Sequence, residues 1–185
     1  IARGLGCTVL EHHAAIGGRY SVLSVTGMLP AAIAGLDIAR LRAGAATITG
    51  PLLSGAATAD IPPAAGAALA VGLNRNAGTR LTVLMPYCDR LADLGLWFCQ
   101  LWAESIGKQG EGTTPVRAIG TVDQHSQLQL YLDGPADKMF SLILTETAGQ
   151  GAAVPAEFSD IDGLSYLAGR TMGDLMDAEQ RATVA

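Results

Sequence analysis

Cationic charge is scarce in this sequence. Lysine and arginine together number 12, against 17 aspartates and glutamates, for a net charge of −5. Basic residues this few and this scattered leave no footprint for nucleic acid or for an anionic membrane surface. Long apolar runs are missing as well. The most aliphatic stretch, Met28 to Leu73, is broken by Pro30, Asp37, Arg40, Pro51 and the Pro62-Pro63 pair, so it never supplies the roughly 20 uninterrupted apolar residues of a membrane helix. Cysteine is limited to Cys7, Cys88 and Cys99. They form neither a CxxC pair nor an even-numbered framework, and their apolar neighbours read as those of buried free thiols in a reduced, cytoplasmic compartment. The paired His12 and His13 lack a partner at a spacing such as HExxH, so no metal is expected. The first residue is Ile and the last ones read as an unfinished helix, which suits an excerpt of a longer protein.

What is present suits 185 residues arranged as one compact domain, or as one domain with part of a neighbour. Cys7 to Leu10 reads as a short strand, followed by a glycine-arginine turn and a helix from Tyr20 to Leu29, with Pro30 either kinking it or opening the next. Ala31 to Ala43 has helical composition with Gly44 as its stop, and residues 44–63, small, Thr-rich and punctuated by Gly and Pro, read as a loop. Beyond Pro63 the rhythm changes. A helix from Ala64 to Leu73 leads to the buried strand "TRLTVLMPY", a long helix from Asp89 to Ile106, and a strand near Val116 to Ile119. A short helix after Asp123, a strand from Met139 to Leu144 and a last helix from near Asp162 complete the pattern. Such alternation predicts an α/β fold whose parallel sheet is covered on both faces. Ligands of such sheets bind beyond the carboxyl ends of the strands, which points to the loops after Leu84 and Ile119.

Three segments carry residues with chemistry. In "DRLADLGLWFCQLWAESIGK", Leu91, Leu94, Phe98, Leu101 and Trp102 recur at helical spacing as a core-facing stripe. Gln100 and Glu104 are one turn apart on another face, and Gly107 with Lys108 makes a helix end. Alone, this helix reads as carrying a solvated glutamate near its terminus. In "GTVDQHSQLQLYLDGP", Asp123 is the expected cap of a helix with His125 in its first turn and Gly134-Pro135 as its stop. That histidine reads either as structural or as a ligand contact beyond a strand end. In "AAIGGRYSVLSVTG", two glycines precede Arg19; they suit a tight turn with a surface arginine or a place where a ligand meets the main chain beside a cation.

Together, "GGRYSVLSVTG", "QLWAESIGK" and "GTVDQHSQLQLYLDGP", in this order and with "VLMPYCDRLADLGLWFCQ" between the first two, resemble segments of the phosphoglucose isomerase family in its bacterial short form. The resemblance runs from about Leu10 to Phe140. It implies a three-layer αβα sandwich of the sugar isomerase domain type, with residues 1–63 ending a first such domain and its connecting helices, and 64–185 forming most of a second. It also implies interconversion of glucose 6-phosphate and fructose 6-phosphate through a cis-enediol, without metal or organic cofactor. On the matched motifs Glu104 is the base that moves a proton between C1 and C2, Arg19 stabilises the charge developing on the intermediate, and His125 helps open the sugar ring. Gly18, Gln100 and Gln124 line the sugar site. The resemblance further implies a homodimer in which this histidine comes from the partner subunit.

Two family features have no counterpart here: the Ser/Thr-rich loop that binds the substrate phosphate, expected upstream of Ile1, and the C-terminal "GVE" segment with its lysine. The 185 residues alone are therefore expected to be inactive or very weak. A different class of function, a sugar-phosphate-binding regulatory module on the same fold, would keep Arg19 and the pocket. It would have no need of Glu104 and His125 together.

Overall fold

The computed structural model describes residues 1–185, which divide into two compact units, Ile1–Leu69 and Ala70–Ala185. The first is helical. Residues 7–10, expected as a strand, run without regular structure and pair with no other segment, and Cys7 is exposed. A 3-10 turn at Gly18–Tyr20 precedes helix α1 (Val25–Ile33), which starts later than expected because Ser24 caps it, Oγ accepting from the Thr26 amide at 3.2 Å. Pro30 lies inside this helix rather than at a boundary.

Helix α2 (Ile38–Leu53) corrects the loop expected over 44–63. Asp37 Oδ1 accepts from the Ala39 and Arg40 amides, both at 3.0 Å, so an alanine-rich segment begins with a firm cap. An interior glycine costs about 1 kcal/mol relative to alanine, and Gly44, among alanines, does not end the helix. The chain turns at Gly55, left-handed at φ 78°. Arg42 Nη1 donates to the Leu23 carbonyl at 3.0 Å and ties α2 to the approach of α1.

Helix α3 (Pro62–Asn76) leads into the second unit. There the expected alternation holds: β1 (Leu81–Pro86), a 3-10 turn at Asp89–Leu91 opening α4 (Ala92–Ile106), β2 (Thr114–Arg117), α5 (Val122–Asp133) and β3 (Lys138–Ile143). The strands form one parallel sheet in the order β2-β1-β3, with Val83 opposite Val116 on one side and Phe140 on the other. Adjacent strand residues face opposite ways. Val83, Met85 and Tyr87 make a buried cluster with Ala118, packed by Tyr131 of α5 and Met176 of the last helix. On the other face Thr82 Oγ1 lies 2.6 Å from Thr113 Oγ1, which accepts from Trp102 Nε1 of α4 at 3.0 Å. The sheet is thus covered on both faces, as the α/β sandwich reading requires.

The last helix, α6 (Met172–Val184), begins ten residues after the expected start. Asp162 is followed by Gly163, left-handed at φ 79°, and only 3-10 turns form before the capping box of Thr171 and Asp174. Gln180, 4% exposed, fixes α6 against the end of β3: its Oε1 accepts from the Thr145 amide at 3.1 Å and its Nε2 donates to the Thr145 carbonyl at 2.7 Å. Cys88 and Cys99, expected to be buried, are half-buried free thiols. No helix is long and apolar enough to cross a membrane.

Candidate functional site

Glu104 stands on the solvent side of α4 while Leu94, Phe98, Leu101 and Trp102 turn partly inward. Gln100, one turn earlier, donates from Nε2 to Glu104 Oε1 at 3.3 Å. Such a bond orients a carboxylate without consuming all of its basic lone pairs. The helix end is held by Lys108, whose Nζ donates to the Ser105 carbonyl at 2.6 Å and the Glu104 carbonyl at 3.4 Å, a cation where the helix dipole is negative. Gly107 caps the helix.

His125 belongs to the first turn of α5, immediately beyond β2. Thr121 occupies the cap position expected for Asp123, and Asp123 braces the turn from within: its Oδ2 accepts from the Ile119 amide at 2.7 Å and its Oδ1 from Gln127 Nε2 at 3.1 Å. Gln127 Oε1 accepts in turn from Tyr131 Oη at 2.7 Å. His125 is exposed and lines an open cleft of about 310 Å³ with Thr121, Gln124, Leu128 and Glu179. Behind Gln124 and Leu128 lies an apolar cavity of about 300 Å³ that Met85, Phe140 and Leu142 also line. Gln124 is therefore part of the wall between a polar cleft and an apolar one.

The strand directions separate Glu104 from His125. Helix α4 runs back from the carboxyl end of β1 to the amino end of β2, where Trp102 meets Thr113, whereas α5 starts past the carboxyl end of β2. From Thr113 to Ile119 the chain covers roughly 20 Å at about 3.3 Å per residue. Within one copy the two residues lie at opposite ends of the sheet.

In the first unit the turn at Gly18–Tyr20 carries Arg19, half-buried, with its guanidinium carbon 5.9 Å from the centroid of the Tyr20 ring. The following serines tighten the segment: Ser21 Oγ donates to the Gly18 carbonyl and Ser24 Oγ to the Ser21 carbonyl, each at 2.7 Å. His12 Nε2 sits 3.1 Å from Ser24 Oγ and braces the α1 cap. The glycines do not use their special conformational freedom, since Gly17 is extended at φ −70° and neither it nor Gly18 has positive φ. What they offer is space, for a Cβ at either position would meet nothing within 4 Å.

Tyr87, which sequence reasoning did not single out, lies fully buried where β1 ends. Its Oη is 2.7 Å from Gln124 Oε1 and 2.6 Å from Thr183 Oγ1 of α6. A Cβ on Gly120 would collide with the Tyr87 ring, so this glycine makes the room the phenol occupies. Burial pushes the phenol's pKa above its ordinary 10.0, reinforced by the charge of Glu179 although the bond to Thr183 opposes the shift. Glu179 Oε2 is itself buried with no hydrogen-bond partner. The only sequence signal for Tyr87 was an aromatic hydroxyl closing a buried apolar strand.

Residues 6–134 match the family model described as phosphoglucose isomerase. The chain is 45% identical over 168 residues to a glucose-6-phosphate isomerase of Rubrobacter xylanophilus, covering 91% of this chain and 38% of the relative. It is 47% identical over 171 residues to a probable glucose-6-phosphate isomerase of Haloarcula marismortui, covering 91% and 37% respectively. A solved structure of a hypothetical protein from Thermus thermophilus superimposes with a TM-score of 0.77 at 35% identity, over 98% of this chain and 44% of that one. The chain thus spans well under half the length of the relatives it matches.

Proposed function

The chain belongs to the phosphoglucose isomerase family, and from that premise we propose that the protein containing it interconverts glucose 6-phosphate and fructose 6-phosphate in the cytoplasm through a cis-enediol. In this reading residues 1–63 end one sugar isomerase domain and 64–185 make most of a second. Glu104 carries the proton between C1 and C2. A hydrogen α to a carbonyl is weakly acidic, so its removal needs a carboxylate held at the carbon and a cation where the enediolate oxygen forms. Arg19 supplies that cation. Gly18 leaves room beside it for the sugar, and Gln100 and Gln124 contact sugar hydroxyls. His125 moves protons between the ring oxygen and the anomeric hydroxyl, work suited to an imidazole near neutral pH.

The observation that carries the proposal is the Gln100–Glu104 pair, an oriented carboxylate on the open face of α4. The separation of Glu104 from His125 along β2 supports a homodimer with a shared site, in which each base works with the histidine of the other copy. The 185 residues alone are expected to turn over poorly, consistent with their covering 38% of a relative's length.

The test is a coupled assay of the full-length parent protein supplied with fructose 6-phosphate, wild type beside Glu104→Gln. General-base catalysis contributes about 10²–10⁴-fold, so kcat is expected to fall within that range while KM changes little. An unchanged kcat would remove Glu104 from the role of base. Binding of fructose 6-phosphate by the wild type without turnover would favour a regulatory module.

A further inference from the structure

Gln124 is not free to choose how it faces a ligand. Its amide is engaged at 2.7 Å by the hydroxyl of a tyrosine with no solvent exposure, and that hydroxyl is engaged at 2.6 Å by Thr183 Oγ1. Thr183 Oγ1 donates its own proton to the Glu179 carbonyl at 3.0 Å. A phenol has one proton to give. Gln124 Oε1 is the atom that faces the phenol and accepts that proton, and Thr183 Oγ1 is the phenol's second neighbour. That arrangement leaves the Gln124 NH₂ as its remaining donor, on a residue that lines the cleft shared with His125.

The anchor of this chain is rigid at each end. The Tyr87 backbone carbonyl accepts from Thr145 Oγ1 at 2.9 Å and its amide donates to the Ile143 carbonyl at 2.9 Å, while Gln180 locks α6 to Thr145. The phenol ring fits against Gly120, the residue two before α5. Tyr87 thereby ties the carboxyl ends of β1 and β3, the first turn of α5 and the last turns of α6 into one support beneath Gln124.

We propose that Tyr87 is a positioning residue for Gln124, fixing its amide so that the nitrogen, rather than the oxygen, is presented to a hydroxyl of the bound sugar phosphate. This rests on the reading of Gln124 as a substrate contact. Tyr87 does not touch substrate; it acts by holding a second side chain in one of its two amide orientations. A net hydrogen bond contributes a factor of about two to tenfold in an equilibrium constant, which sets the scale of the expected effect.

The experiment is a double-mutant cycle in the full-length parent protein, with Tyr87→Phe, Gln124→Ala and the pair, measured as kcat and KM for fructose 6-phosphate. Phenylalanine keeps the ring against Gly120 and removes only the hydroxyl. Tyr87→Phe is expected to raise KM about three- to tenfold with kcat nearly unchanged, and to add nothing once Gln124 is alanine. A Gln124→Ala effect on KM with none from Tyr87→Phe, or with an equal Tyr87→Phe effect in both backgrounds, would overturn the positioning role, since a general loosening of the fold does not depend on the residue at 124. No effect from Gln124→Ala would instead overturn the contact on which the proposal rests. Thr183→Val gives a second reading should Tyr87→Phe fold poorly: without Thr183 Oγ1 beside it the phenol still donates to Gln124 Oε1, so KM is expected to stay near the wild-type value, and a rise as large as that of Gln124→Ala would overturn the assignment of the amide's hold to Tyr87.

Discussion

The two units of this chain solve the folding problem differently. Residues 70–185 bury Val83, Met85 and Tyr87 in the centre of a parallel sheet, with polar Thr82 and Gln180 also nearly inaccessible. In residues 1–69 only Met28 and Ile61 are buried, while Ile33 is 79% and Leu53 85% exposed. A segment that leaves such side chains in water has not recovered its ordering entropy from its own core. The contrast teaches that the second unit carries its own stability. The helices of the first present an apolar surface that is expected to be covered in the assembled protein, by more of the same polypeptide or by a second copy.

The largest effect that would break this comparison lies in hydrogen exchange. Expressed separately, residues 70–185 are expected to protect the amides of β1 at least about a thousandfold, because a domain stability of about 5 kcal/mol implies such a factor. Residues 1–69 alone are expected to exchange nearly as fast as an unfolded peptide. Comparable protection in both pieces would show that α1 and α2 hold themselves together without a partner surface.

Point substitutions sharpen the same contrast. Met85→Ala removes a side chain that is 1% exposed at the middle of the sheet and is expected to cost about 2–5 kcal/mol in a denaturant titration of the 185-residue chain. Leu53→Ala, at the exposed end of α2, is expected to stay within about 0.5 kcal/mol. In the full-length protein Leu53→Ala should cost more, and the same small value there would mean that nothing covers this end of α2. A loss smaller than that of Met85→Ala is expected from Gln180→Leu. It strands the amide and carbonyl of Thr145 that Gln180 now satisfies, and buried groups left unpaired cost about 1–3 kcal/mol; a loss below about 0.5 kcal/mol would show that α6 is fixed by packing rather than by this clamp.

The second unit was also the more legible of the two. A strand such as LTVLMP, bounded by Arg80 and Tyr87, announces itself by composition, and the helix with Leu94, Phe98 and Leu101 by its period. Both formed within a few residues of their expected bounds. In the first unit Gly44 and Pro51 looked like breakers, yet both lie inside α2. A cap at Asp37 and a run of alanines outweigh single unfavourable residues, and local propensity cannot show that balance when no core decides it. Among the site residues, the pairing of Gln100 with Glu104 follows from helical spacing. Arg19 and His125 stood out locally, beside two glycines and in a first helical turn beyond a strand, while their roles, and Gln124 itself, came from resemblance to a family. Tyr87 was invisible for a physical reason: its hydrogen bonds reach residues 37 and 96 positions away, and no local pattern encodes partners that distant.

The smallest expected effect tests whether α6 depends on its cap. Asp174 Oδ2 accepts from the Thr171 amide at 2.8 Å and Oδ1 from the Gly149 amide at 2.9 Å. These backbone bonds, Thr171 first, pull its pKa below the ordinary 3.8, against a smaller opposing cost of desolvation. A carboxylate whose folded pKa is depressed binds its proton more readily in the unfolded chain, so its contribution is fully present above about 3.8 and is lost as pH falls through the folded value. Asn at this position keeps one acceptor oxygen and no charge. Asp174→Asn is therefore expected to lower α6 amide protection modestly at pH 6, and the gap from wild type should close progressively as the pH drops below about 4. A gap that stays constant across that range would mean that the Asp174 carboxylate stabilises α6 by its shape rather than by its charge.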